Sequence, residues 1–417
     1  MLDSTIYLIL IITVVIFDFI WTQYLSYRNR KRMSPDIPSQ LEGIYNQEEY
    51  AKQQAYQKVN SRFGLYTSLF SFIVMLIVLS LGIFGWLDEQ LRQYIDNEIL
   101  LTLAFFGTIY IINDIISLPF DYYSTFVIEE RFGFNKSTKK IFWFDQLKGL
   151  LLTVILGGII LALLVWLYDT LGENAWLYAW GVVTVFSLFM TLFYSNIIVP
   201  MFNKQTPLES GELRDAIERF ANEAGFAINN IYVMDASKRS TKANAYFTGF
   251  GAKKRIVLFD TLINDLNTDE IVAVLAHEIG HYKKKHTLQG MLISICYTGF
   301  ILFLLSLFLN NQDIAVALGG QIASFHLGLI AFSVLFTPIS LVIGIFSSMH
   351  SRKNEYQADA YAAEFGLSNA LISGLKKLSV KSLSNLNSDP LFVFFHYSHP
   401  TLLQRMDALK KITVKED

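Results

Sequence analysis

Long, nearly unbroken apolar runs dominate this chain. Seven of them, at roughly 5–25, 64–87, 99–120, 148–168, 174–197, 288–310 and 323–348, are long enough to cross a bilayer as helices, which takes about 20 apolar residues each. Between the fifth and sixth runs the pattern changes. Pro200 and Pro207 punctuate the exit from the fifth. The stretch SGELRDAIERFANEAGF then sets Leu213, Ile217, Phe220, Ala221 and Ala224 on one helical face, with Gly225 as its stop. IYVMDAS (231–237), NAYFTGF (244–250) and RIVLFD (255–260) read as short strands between Gly- and Lys-rich turns. Asn267 or Thr268 caps the next helix, whose first turn carries Asp269 and Glu270. The expected organisation is spans one to five in 1–197, an insert in 198–287, spans six and seven in 288–348, and a C-terminal segment in 349–417. There is no internal repeat and no low-complexity stretch.

Composition sharpens this reading. Hydrophobic residues make up 53% of the chain and charged residues only 17%, against about 25% charged in a soluble domain. A soluble surface and intrinsic disorder are both excluded. A formal net charge of −2 argues against a broad nucleic-acid-binding face. Cys296 is the single cysteine, so neither an intrachain disulfide nor a cysteine cluster for metal can form. The opening run is not read as a cleaved signal peptide, because MLDST before it lacks a basic residue and RNRKR follows it.

Charge also orients the spans. With the N-terminus outside, 33 of the 34 Lys and Arg residues fall in inside segments, leaving only Arg92 outside, as the positive-inside rule requires. The C-terminus and the insert then face the cytoplasm. Asp18 and Asp114 lie within spans and are either polar packing residues or the lining of an aqueous space.

The chemistry sits at A-H-E-I-G-H, which holds His277, Glu278 and His281. On a helix, positions i and i+4 share a face, so two imidazoles can chelate one Zn²⁺ with the glutamate beside the bound water. With 7 His and 36 acidic residues in 417, a His-acid-x-x-His arises by chance about 0.01 times per chain. A catalytic zinc needs a third protein ligand. In SRKNEYQADAYAAEFG (351–366), Glu355 supplies a carboxylate, with Asp359 and Glu364 as competitors. Asp359, one turn on, is placed to fix a ligand histidine's tautomer. Glu278 is the expected proton acceptor and donor. His399 and Arg405 are candidates to meet the oxyanion. His286, after a lysine run, is expected to be solvated, His326 and His350 to pack, and Cys296 to be inert.

Several segments together resemble the type I CAAX prenyl endopeptidases, integral-membrane zinc metalloproteases. They are YSTFVIEERFGFNKST (123–138), PMFNKQTPLESGELRDAI (200–217), SKRSTKANAYFTGFG (237–251), VLAHEIGHYKKKH (274–286), EYQADAYA (355–362) and YSHPTLLQR (397–405). The resemblance implies a mainly α fold: a seven-span membrane helical barrel enclosing a water-filled chamber, with a small α+β metalloprotease portion on the cytoplasmic side. It implies one zinc per chain on His277, His281 and Glu355, Glu278 as acid-base, Asp359 behind the ligands, and His399 and Arg405 toward the oxyanion or the substrate carboxylate. It also implies that Asn244, and with it Ala245, Tyr246 and Phe247, holds an extended substrate. The expected substrate is a peptide or protein, prenylated or otherwise membrane-associated, met by a monomer in the bilayer without nucleic acid. The competing readings are a heat-shock-type quality-control zinc protease and a seven-span transporter or receptor with a structural metal. Short outer loops and a VKED terminus favour a bacterial cytoplasmic membrane, with the endoplasmic reticulum as the location in a eukaryote.

Overall fold

The structure is a computed structural model that describes residues 3–226, 230–248, 255–309 and 311–413. It is mainly helical. Five continuous helical runs among the described residues are long and apolar enough to cross a membrane: Ser4–Lys31, Gln47–Ser80, Glu98–Phe132, Lys139–Phe202 and His286–Ser306. A sixth candidate is the pair Phe325–Leu335 and Thr337–Ala363, bent by 55°. Pro338 in the first turn of the second member explains the bend, because its ring and missing N–H interrupt the ladder. By length and composition alone, five or six candidates are thus seen among the described residues. The expected runs 148–168 and 174–197 fall within one 64-residue stretch, joined through the 3-10 turn Gly172–Asn174.

Much of the apolar surface of these helices is left uncovered by protein. Within the apolar window of Ser4–Lys31 only 6% of residues are buried, and Ile9, Ile20, Leu81 and Phe346 are all more than half exposed. Apolar surface on this scale needs lipid to cover it.

The largest packed core among the described residues lies in the extramembrane portion. It gathers Leu41, Tyr50, Ile217, Leu258, Leu275 and Leu409, drawn from distant parts of the chain. Two long helices run from the membrane into it. Gln47–Ser80 has 34 residues, about 51 Å at 1.5 Å per residue, well beyond the roughly 30 Å of hydrocarbon. Its first turns bury Tyr50 and Tyr56. Thr337–Ala363 likewise continues past the apolar stretch, and its last turns bury Glu355, Ala358, Asp359 and Ala362.

A four-stranded sheet backs the core. Its strands are β1 (Gln205–Pro207), β2 (Asn230–Met234), β3 (Ala245–Thr248) and β4 (Arg255–Phe259), in the order β1-β2-β4-β3. β2 and β4 are parallel and the outer pairings are antiparallel. Central β4 buries Ile256, Val257 and Leu258. β1 was not anticipated. Pro207 reads as a breaker, yet it is tolerated here because β1 is an edge strand. The expected strand 244–250 is described only to Thr248.

Candidate metal centre

The helix Thr268–Lys283 carries the H-E-x-x-H residues, and its start is fixed by a reciprocal cap. The Asn267 side chain accepts from the Glu270 N–H at 2.9 Å, and the Glu270 carboxylate accepts from the Asn267 N–H at 3.0 Å. Glu270 also accepts from Ser373 at 2.7 Å and from Lys377 at 2.8 Å, tying the cap to the helix Ser368–Lys381. One face of the motif helix is lined with small buried residues, Ala273, Ala276 and Gly280. It lies against Ala358 and Ala362 of Thr337–Ala363. A Cβ on Gly280 would stand 3.0 Å from Tyr361 Cβ and 3.1 Å from both Ala358 Cα and Ala358 O. Glycine is therefore what lets the two backbones approach this closely.

That approach brings two i, i+4 pairs face to face, His277 and His281 on one helix and Glu355 and Asp359 on the other. The two Nε2 atoms are 3.2 Å apart. His277 Nε2 lies 3.5 Å from Glu355 Oε2, and His281 Nε2 lies 3.3 Å from Glu355 Oε1. The ligand atoms of these three residues fall within 4.8 Å of one another. Donors bound at about 2.0–2.1 Å to one tetrahedral zinc stand roughly 3.3 Å apart, so the separations fit that ion. Glu355 Oε2 is buried with no donor at hydrogen-bond distance, and the guanidinium nitrogen that faces it, Arg405 Nη1, lies 3.7 Å away. A carboxylate oxygen so placed is costly unless something positive meets it. Glu364, the competing carboxylate, is 56% exposed and faces Lys284 at 3.6 Å.

The surroundings fix the ligands. His277 Nδ1–H donates to Asp359 Oδ1 at 2.9 Å, which leaves Nε2 free to ligate. Arg405 donates to Asp359 through Nε at 2.9 Å and through a terminal nitrogen at 2.6 Å. It is buried beneath the ligands, and its pKa is raised because the bonds to Asp359 outweigh burial. Burial alone would lower His277, but hydrogen bonds to Asp359 and Glu355 win and raise the metal-free ring to about 9.

Glu278, Asn244, Ala245, His399 and Arg405 line one cavity of about 280 Å³ with the three ligands. His399 is largely exposed and sets Nε2 3.2 Å from Glu355 Oε1. Asn244 sits just before the start of β3, a strand paired only with β4 among the described residues. Its side-chain oxygen accepts from the Ala245 N–H at 2.9 Å. Tyr246 and Phe247 were expected beside Asn244 in substrate binding, but their side chains do not reach this cavity. The Tyr246 hydroxyl meets Ser195 at 3.1 Å on the other face of the sheet, and Phe247 packs on Phe226 and Tyr282. Strand alternation and the core behind β3 account for both.

Two groups escaped the sequence reading. His286, expected to be solvated, is only 6% exposed, and its ring contacts His281. Residues 239–242, just before Asn244, are clamped from outside. Arg239 pairs with Asp145 at 2.7 and 2.9 Å, and Lys242 reaches Glu129 at 2.9 Å and the Tyr56 hydroxyl at 3.2 Å. Glu129 lies in a stretch singled out above, but nothing in its spacing revealed the partner.

A helical membrane protein whose extramembrane core carries a His-His-Glu cluster beside a glutamate is a membrane-embedded metalloprotease. The comparisons agree. Residues 26–204 match the family described as CAAX prenyl protease N-terminal, five membrane helices, and residues 207–413 match Peptidase family M48. CAAX prenyl protease 1 homolog of Arabidopsis thaliana is 37% identical over 96% of this chain and 96% of its own length. CAAX prenyl protease 1 of Saccharomyces cerevisiae is 35% identical over 96% and 94%. The crystal structure of S. mikatae Ste24p superposes with a TM-score of 0.92 at 34% identity, covering 97% of this chain and 99% of that one. The chain belongs to the CAAX prenyl protease family. These relatives are eukaryotic, which removes the support for a bacterial membrane.

Proposed function

We propose that this protein hydrolyses peptide bonds of prenylated or other membrane-associated polypeptides at a zinc ion held by His277, His281 and Glu355. The observation that carries this reading is the convergence of these three side chains, with a buried Glu355 oxygen that no donor meets at hydrogen-bond distance. When bound, zinc lowers the pKa of water and polarises a carbonyl. Glu278, lining the same cavity, takes a proton from the attacking water and returns it to the leaving amine nitrogen as the C–N bond breaks. Asp359 holds the His277 tautomer, and Arg405 holds Asp359. His399, exposed at the cavity rim, is the group free to turn toward the oxyanion. The edge of β3 that is unpaired among the described residues receives the substrate main chain, with Asn244 just before its start.

The likeness to proteins named CAAX prenyl proteases supports the substrate class. Seven spans are the best reading of the membrane portion. Gly172 takes a left-handed φ of +55°, which allows a reversal, and the helices Gly158–Leu171 and Ala175–Ile197 pack on each other. The 64-residue run then contributes two spans and the bent pair the seventh. Half-buried Asp18 and Asp114 have no hydrogen-bond partner among the described residues, which supports an aqueous chamber between the helices. The distribution of basic residues supports a centre on the cytoplasmic side of the membrane, that of the endoplasmic reticulum in a eukaryotic cell.

The test is cleavage of a farnesylated C-terminal peptide, its unprenylated twin and a misfolded membrane protein, with zinc content measured on the same sample. One zinc per chain with a preference for the farnesylated peptide is expected. Preference for the misfolded protein would favour quality control, and metal without hydrolysis would favour the transporter or receptor reading.

A further inference from the structure

His286 lies five residues after His281. On one continuous helix that offset is about 500°, or 140° away from His281, and the two rings would point apart. The chain does not continue. The motif helix ends at Lys283, Lys285 takes a left-handed conformation at φ 60° and ψ 27°, and a new helix starts at His286. A lysine in that region is strained, and strain of this kind persists where the surroundings require it. Here the reversal folds the His286 ring back onto His281. The ring centroids are 5.1 Å apart, and the two Nδ1 atoms are 3.0 Å apart.

The direction of each hydrogen bond follows from the far end. His286 Nε2 lies 2.8 Å from Gln357 Oε1, which only accepts. His286 Nε2 therefore carries the proton, and its Nδ1 offers a lone pair. His281 Nδ1–H donates to that lone pair, and His281 Nε2 is left without a proton, facing His277 and Glu355. The opposite amide orientation would reverse the relay and protonate His281 Nε2, which is incompatible with ligation. His286 does not line the cavity that holds Glu278, so it acts through His281.

We propose that His286, oriented by Gln357, is the positioning residue for the ligand His281, as Asp359 is for His277. The difference is that His281 leans on a neutral imidazole while His277 leans on a carboxylate. This inference rests on the proposed metal site. Its test is zinc affinity of the full-length protein in detergent, by competition with a chelating dye, together with the visible spectrum of the Co²⁺ form. His286→Phe keeps a ring but removes the acceptor. His286→Asn puts an amide oxygen close to where Nδ1 sits and can still accept from His281.

His286→Phe is expected to bind zinc about 10–100-fold more weakly, the usual size of a lost outer partner, and to shift the Co²⁺ bands. His286→Asn is expected to recover most of that loss. Gln357→Ala, at an exposed position with little risk to folding, is expected to weaken zinc several-fold. Wild-type affinity in His286→Phe, or an equal loss in His286→Phe and His286→Asn, would overturn the proposal. Unchanged affinity in Gln357→Ala would overturn the relay even if His286→Phe failed to fold. Unchanged zinc binding in His281→Ala would instead overturn the metal site itself.

Discussion

Gly280→Ala tests whether helix approach sets the metal geometry. The added Cβ would sit 3.0–3.1 Å from Tyr361 Cβ, Ala358 Cα and Ala358 O, where ordinary contact begins near 3.4 Å. Two of these three atoms are backbone atoms, so no side chain can rotate away and the helices must part by a few tenths of an ångström. The opposing term is helix propensity, which favours Ala over Gly by about 0.8–1.0 kcal/mol. Overpacking costs about 1–3 kcal/mol, so the net destabilisation is about 0–2 kcal/mol. The metal feels the shift more strongly. Ligand distances tolerate only about 0.2 Å, and His281 is one residue from the substitution. We expect zinc affinity to fall about tenfold or more, with Tm of the metal-free protein lowered by only a few degrees. Chelator competition and thermal unfolding with and without zinc read the two effects separately. Wild-type zinc affinity together with an equal or higher Tm would refute the idea that this contact fixes the site.

The remaining expectations follow from the same geometry. Glu278→Gln should retain zinc and lose hydrolysis, because it removes the proton carrier while His277, His281 and Glu355 stay; wild-type turnover in a metal-analysed sample would break the assignment. Glu355→Ala should weaken zinc binding, while Glu364→Ala, at an exposed carboxylate, should not; metal analysis of both decides. Zinc must displace the proton that metal-free His277 holds up to about pH 9. Apparent zinc affinity should therefore rise with pH and level off above that value, as a competition titration between pH 6 and pH 10 would show. Asn267→Ala should destabilise the protein by about 1 kcal/mol through the lost cap, read as a drop in Tm with zinc stoichiometry unchanged.

The elements easiest to read from sequence were those with a strong local signal. The apolar runs, the amphipathic helix ending at Gly225 and the cap at Asn267 each follow from periodicity or capping chemistry within a few residues. The candidate metal-binding pair His277 and His281 was legible for the same reason, since one helix supplies both. Glu355 required a long-range pairing, and topology gave only the side of the membrane. What decided it is the small-residue face of the motif helix, and Gly280 is the residue that could have announced a close helix partner. Span boundaries were less legible. Hydropathy marks apolar length, but where the chain turns between two runs, as at Gly172–Asn174, depends on the backbone.

The misread residues share one cause, a burial created by partners far along the chain. Asp88 reads as an outer-loop acid, yet it is 1% exposed, lies 2.7 Å from His326 and accepts from Arg92. Arg92, which also pairs with Glu98, is the only basic residue outside in the seven-span reading. Two carboxylates compensate its charge, so its exception to the charge rule is local. His286 repeats the pattern at the other end of the molecule. Its neighbours in sequence are lysines, which signal solvent, but a single left-handed residue at Lys285 redirects the chain. A sequence window reports what a residue's neighbours are. A reversal of one residue's φ decides which side chain it meets, and here it sets the His286 ring against His281.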